Sequence, residues 1–312
     1  MERRDNVLCD ALAVAHSAHK LRIPSIIVLS EYTATSKVKE LTRLGSTVTL
    51  HGASADATRE ECVRLQSLHD MTLISEPGDE CVVAGHGTIG PEIVSQITPS
   101  QVKAVFCPFS CGTLIAGLGI YLKRITPNIK LVGVELQDPE EVFRSVHRDE
   151  RLTLKEYLLS RSICPEVGRI CSDVVDDVVQ VSMNEVLIAT KDIYEDTRQL
   201  LEAEGVIAVA GMKSWIISNG LVGSEKDFIA ITSEAQLDFL EIPNIIKQAS
   251  MASMEMGRRS RVDLEVSLDC PGISSAETND GWSSSTTVVG AEISAGSISD
   301  VGPRPWLNGY WV

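Results

Sequence analysis

Residues 102–121 read VKAVFCPFSCGTLIAGLGIY, and the fold turns on this stretch. Lys103–Cys107 is a short apolar run and predicts a buried strand. Ser110-Cys111-Gly112-Thr113 is a turn of small residues, and Leu114–Ile125 carries the periodicity of a helix. Strand, small-residue turn and helix together gather backbone N–H groups and the positive helix end around one point. That geometry binds a phosphate without a cationic side chain. A single glycine also suits any tight strand-to-helix turn, so the local pattern leaves both readings open.

The alternation continues in both directions. Upstream, Pro24–Ser30 (PSIIVLS) predicts a buried parallel strand. Thr35–Leu44 predicts an amphipathic helix stopped by Gly45, and Thr47–Leu50 a second strand. Ser54 caps a helix reaching about His69, and Met71–Ile74 (MTLI) predicts a third strand. Downstream, Gly87–Ile97 is helical, Lys130–Glu135 (KLVGVE) is a strand, and Glu140–Ser160 is largely helical. Asp177–Val181 (DVVQV) is a strand, Ser182 caps a long helix to about Glu202, Gly205–Ile217 is helical, and Asp227–Thr232 (DFIAIT) is a strand. Strands alternating with helices imply βαβ units and an α/β fold with parallel-rich sheets. After Gln248 the character changes. Val262–Leu268 (VDLEVSL) alternates as an edge strand does. From Pro271 onward Ser, Thr, Gly and acidic residues predict a disordered tail, since too little apolar surface is available to offset ordering entropy. Trp306, Tyr310 and Trp311 end the chain, either as a docking tag or as untethered aromatics.

The 312 residues carry a net charge of −15, which excludes the basic footprint that nucleic-acid binding needs. No apolar run approaches membrane-spanning length. Eight cysteines lie scattered without a CxxC pair or zinc spacing, so reduced thiols in a cytosolic protein are expected. The start, MERRDNVLCD, has no apolar h-region; a mitochondrial or plastid address would need a presequence upstream of Met1. His16 and His19 lie three apart and could form half a metal site, but no matching Cys or carboxylate pair accompanies them. His86 is expected to be structural, Asp176 and Asp177 solvated, and Trp215 core or interface.

The ordered series VAGHGTIGPEI (83–93), PFSCGTLIAGLGIYLKRI (108–125), KLVGVE, DDVVQVS, DIYEDTRQLLEAEGVIAVAGMK (192–213) and ITSEAQ (231–236) resembles the threonine dehydratase and serine racemase branch of the fold type II pyridoxal-phosphate enzymes. YEDTR followed by VAGMK looks most like the biosynthetic threonine deaminases. The resemblance runs from about Ala11 to Gln248. It implies a two-lobed α/β architecture: a small αβ domain over 1–84, a large cofactor-frame domain over 85–250, and a remnant strand with tail over 251–312.

The same resemblance implies pyridoxal phosphate as cofactor. The family's phosphate loop of four glycines and an apolar residue falls on Ser110, Cys111, Gly112, Thr113 and Leu114, of which only Gly112 is kept. Relatives that make cysteine carry Thr in this loop, which points to hydroxyl hydrogen bonds from Ser110 and Thr113. Ser233 falls where the family sets a hydroxyl against the pyridine nitrogen. The plain alternative is a serine that merely ends a strand. The family's Glu-Pro-Ala-Gly appears as Glu202-Ala203-Glu204-Gly205. The family's Schiff-base lysine lies upstream of this chain's equivalent start, and its Ser-x-Gly-Asn-His motif falls on Asn6–Asp10 without matching. No residue here takes the catalytic role by position, and no metal site is implied.

The reaction implied is deamination of threonine or serine to ammonia and a 2-oxo acid. Two alternatives stand beside it: a non-catalytic relative that binds a ligand or an active paralogue, and a truncated gene product. The partners expected are a small amino acid and, as in relatives, a second copy or a paralogue.

Overall fold

The computed structural model describes residues 7–74, 78–137, 164–233, 239–268 and 287–290. They fall into two compact units, the first up to Asp79 and the second from Glu80 onward.

In the first unit, α1 (Val7–Leu21), α2 (Thr35–Arg43) and α3 (Ala55–His69) accompany a two-stranded parallel sheet of β1 (Ile26–Leu29) and β2 (Thr47–Leu50). Ala11, Leu12, Ala15, Ile27, Leu29 and Leu41 make its core. Ser54 caps α3 as expected, accepting from the Ala57 amide at 3.3 Å. Gly45 follows α2 at φ +87°, a conformation open to glycine. The third strand expected at Met71–Ile74 does not form. The segment pairs with neither described strand, and its side chains alternate between half-buried and exposed, with Ile74 55% exposed. One face is only half covered and the other is open, so little rewards a ladder there.

The second unit is built on a parallel sheet in the order β5-β4-β3-β6-β7. Its strands are β3 (Val102–Pro108), β4 (Lys130–Leu136), β5 (Asp177–Val181), β6 (Asp227–Thr232) and β7 (Thr287–Gly290). The helices are α4 (Glu80–Gly87), α5 (Ile89–Gln96), α6 (Thr113–Ile125), α7 (Pro165–Val174), α8 (Met183–Thr197), α9 (Ala203–Ser218) and α10 (Ile242–Leu268). Each central strand feeds two cores by alternation. Val105, Cys107, Leu131, Ile229 and Ile231 join the core on the side of α4, α5, α6 and α7. Ala104, Phe106, Val132, Val134, Phe228 and Ala230 join the core that α9 covers. Trp215 of α9 meets Phe106 and Phe228 edge to face in that second core.

Several expectations are corrected. Asp176 is exposed, as expected, and Asp177 is half-buried, but both hold specific partners. Asp176 Oδ2 accepts from the Leu131 amide at 2.6 Å and pairs with Lys123, which ties the ends of α6, β4 and β5 together. Asp177 Oδ2 accepts from Trp215 Nε1 at 2.8 Å. Ser182 and Glu185 form a capping box, but α8 ends at Thr197, where Arg198 turns left-handed, rather than at Glu202. Val262–Leu268 is the end of α10, not a strand: a helix satisfies its backbone within itself, whereas a strand needs a neighbour. Thr287–Gly290, inside the expected disordered tail, is β7 on the edge of β6. The helix expected at Glu140–Ser160 and the terminal aromatics lie outside the described residues. Among the described residues no helix is long and apolar enough to cross a membrane.

Helix α6 crosses α4 at backbone contact. A Cβ on Gly117 would stand 2.2 Å from the Val83 carbonyl oxygen and 2.8 Å from the Gly87 nitrogen. Backbone cannot swing aside, so Gly117→Ala should cost about 1–3 kcal/mol as overpacking does, read as a lower denaturant midpoint with unchanged slope. A second expectation concerns pH. Burial, and secondarily the nearby Cys111, pushes the Cys171 thiol up from 9.0 to about 12. An unfolded thiol ionises near 9, so this group stabilises the fold fully below that pH and loses its contribution as pH rises toward 12. The stability gap between wild type and Cys171→Ala should therefore narrow across that range in denaturant titrations.

Candidate functional site

The path of the chain through the sheet creates a crevice. From β3 it steps through α6 to β4 and through α7 to β5. It then returns by α8 and α9 to the opposite flank of β3, where β6 lies. The strand order reverses between β3 and β6, and in open parallel sheets ligands bind at the carboxyl ends of strands at such a point.

Three segments meet there. The first is the turn after β3. Gly112 has φ +85° and ψ −9° and is the N-cap of α6, with no side chain capping the helix. The first amides of a helix have no acceptor within it, so those of Thr113 and Leu114 keep their donors for something outside. The second is Ser233. Phe106 faces Ala230 in the ladder, which brings Pro108 level with Thr232 and Phe109 level with half-buried Ser233. The third is the first turn of α9, whose Gly205 carbonyl accepts from the Ser233 amide at 3.2 Å.

The side chains divide by exposure. Ser110 is exposed, Cys111 and Leu114 are half-buried, and Thr113 is wholly buried. Thr113 Oγ1 lies 3.3 Å from Cys111 Sγ, so its hydroxyl is engaged inside the turn and its amide is what remains to offer a ligand. Leu114 packs partly against the first core of the second unit. The turn thus combines backbone amides, a short polar side chain and a helix start, a combination suited to an anion. Of the three side chains around Gly112, that of Ser110 is exposed and those of Cys111 and Thr113 lean on each other.

Two neighbours escaped sequence reasoning. Cys171 of α7 donates its S–H to the Gly112 carbonyl at 3.6 Å, a contact between residues 59 apart in the chain that no local pattern signals. Glu135, 4% exposed, stands near the end of β4 beside the start of the turn and accepts from Gln180 Nε2 at 3.0 Å. An acid at the carboxyl end of a buried strand was the available clue. The two early histidines do not converge on a metal: among the described residues no group of three or more His, Cys, Asp or Glu is placed to hold one.

The sequence profile of the family described as pyridoxal-phosphate dependent enzymes matches residues 11–233. The chain is 40% identical over 253 residues to a threonine dehydratase-like protein of Alternaria alternata, covering 79% of this chain and 62% of that one. It is 36% identical to the mitochondrial threonine dehydratase of Schizosaccharomyces pombe, over 83% of this chain and 43% of that protein. The chain thus spans about half the length of these relatives. Among solved structures, the processed form of threonine deaminase isoform 2 from Solanum lycopersicum superposes with a TM-score of 0.66 at 28% identity, covering 77% of this chain and 67% of that one. Maize serine racemase shares the fold at a TM-score of 0.62 and 23% identity, over 80% of this chain and 75% of its own. By the extent of the match and the shared fold, this chain belongs to the pyridoxal-phosphate dependent enzyme family, among sequences similar to threonine dehydratases.

Proposed function

We propose that this chain is built to take an amino acid such as threonine or serine to a 2-oxo acid and ammonia with pyridoxal phosphate, as a threonine dehydratase does. The observation that carries the reading is the left-handed Gly112 at the uncapped start of α6, in the turn that leaves β3 beside the end of β6, where Ser233 follows. The phosphate would rest on the amides of Thr113 and Leu114 and on the Ser110 hydroxyl, with Cys111 and Gly112 shaping the loop. The Ser233 hydroxyl would meet the ring nitrogen, and a neutral partner there leaves that nitrogen unprotonated. When bound, the cofactor supplies an electron-withdrawing ring that acidifies the amino acid's Cα–H. The residues of the chain anchor and orient; the buried faces of β3 and β6 beneath the site keep water from its floor.

A second reading is a relative that binds the same ligands without turnover, alone or beside an active paralogue. The positions of the lysines favour it. Lys123 pairs with Asp176, Lys213 with Asp192, Lys191 with Glu195, and Lys226 with the Ser100 carbonyl. These four are engaged with partners away from the turn.

One titration separates the readings. Pyridoxal phosphate should bind saturably by absorbance. Ser110→Asp, an exposed change that adds a negative charge to the turn, should weaken it about tenfold or more, a cost of at least ~1.4 kcal/mol. Gly112→Ala should do the same and also strain the backbone. If threonine then yields 2-oxobutyrate, the dehydratase reading stands. Binding without keto acid favours the second reading, and no saturable binding by wild type overturns both.

A further inference from the structure

The turn also gathers sulfur. Cys107 ends β3 fully buried, Cys111 sits half-buried in the turn, and Cys171 reaches it fully buried from α7. All three are thiols in this structure. Cys171 Sγ lies 3.6 Å from the Gly112 carbonyl oxygen, and Cys111 Sγ lies 3.3 Å from Thr113 Oγ1. One thiol thus touches the Gly112 carbonyl, and the other belongs to the residue just before that glycine. They also feel one another: burial first, then the charge of an ionised Cys111, holds the Cys171 thiol up at about 12, and Cys107 is pushed up by burial and by both of the others.

The three are chemically unequal. Cys111 is the one reachable from solvent, and it stands just before the N-terminus of α6. That end of a helix favours a thiolate, the form that reacts with oxidants. Cys171 is a protonated thiol held against the hinge of the turn. Cys107 is fixed within β3, which is paired along both edges. We propose that Cys111 and Cys171 are a redox-modification site, closing to a reversible disulfide that locks the Gly112 turn onto α7.

The chemistry balances with a peroxide as oxidant. Cys111–SH and hydrogen peroxide give the sulfenic acid and one water. The sulfenic acid and Cys171–SH then give the S–S bond and a second water. The two thiols lose two electrons and the peroxide gains them. Closure takes the Cys171 S–H from the Gly112 carbonyl and pulls Cys111 off Thr113, so the turn no longer presents its amides as before. That consequence, unlike the cross-link itself, rests on the turn being the phosphate site.

The test oxidises the full chain with hydrogen peroxide, blocks remaining thiols with N-ethylmaleimide, and reads a non-reducing tryptic digest by mass spectrometry. Peptides 104–123 and 170–191 should appear joined and separate with dithiothreitol. The link should persist in Cys107→Ala and vanish in Cys111→Ala and in Cys171→Ala. A loop link within peptide 104–123, sulfinic acid at Cys111 without a cross-link, or thiols unchanged under excess peroxide would each overturn the proposal. Should Cys171→Ala fail to fold by circular dichroism, the mapped link in wild type and in Cys107→Ala still decides. In a parallel arm, millimolar inorganic phosphate should slow the cross-link several-fold. A link that forms equally fast with and without phosphate leaves the thiol pair standing and removes the phosphate reading of the turn.

Discussion

Strand β3 must be apolar on both faces and paired on both edges, and the rest of the second unit follows from that. Val105 and Cys107 serve one core, Ala104 and Phe106 the other. Only helices on both sides can cover such a strand, and only neighbours reached in opposite directions can occupy its two edges. The chain goes to β4 by way of α6 and comes back to β6 by way of α9. The crevice at the carboxyl ends of β3 and β6 is what remains between those opposed paths. A site there needs no special construction: the helix that covers one face starts at it, and the strand that closes the other edge ends at it.

The opposite rim of the sheet does a different job. Asp176 receives the Leu131 amide and Lys123, Asp177 receives the Trp215 indole, and Lys226 donates to the Ser100 carbonyl. Charges and polar hydrogens that could have served chemistry are consumed there in fastening helix and strand ends. At the carboxyl-end rim the pattern reverses. The α6 terminus is left without a side-chain cap, and Gly112 adopts a backbone that other residues reach only with strain. One rim is fastened by side chains, and the other carries a helix start without a side-chain cap. The sulfur around Gly112 belongs to the second rim, with Cys111 half-buried in the turn and Cys171 against the Gly112 carbonyl.

Sequence patterns failed where a partner, not a propensity, made the decision. MTLI at 71–74 has the composition of a strand, yet no described strand pairs with it. VDLEVSL alternates perfectly for a strand and sits in α10, because the helix running up to it supplies hydrogen bonds that a lone strand could not find. TVVG at 287–290 lies in a Ser-rich stretch and still pairs with β6, because an open parallel edge offers the bonds. Asp176 and Asp177 looked solvated since their partners, Leu131, Lys123 and Trp215, are tens of residues away.

What the amino-acid order determined alone was local and periodic. It marked the strand–turn–helix at 102–125, the caps at Ser54 and Ser182, the glycine stop at Gly45, and an ordered set of motifs long enough to name a family. Those signals live within one turn or one pleat, where spacing is geometry. The tertiary structure alone decided that Ser233 stands level with the turn at Phe109, that Cys171 reaches the carbonyl of Gly112, and that the Thr113 hydroxyl turns inward to sulfur. Each of these depends on strand order and helix packing, which bring together residues whose separation along the chain carries no trace of their contact.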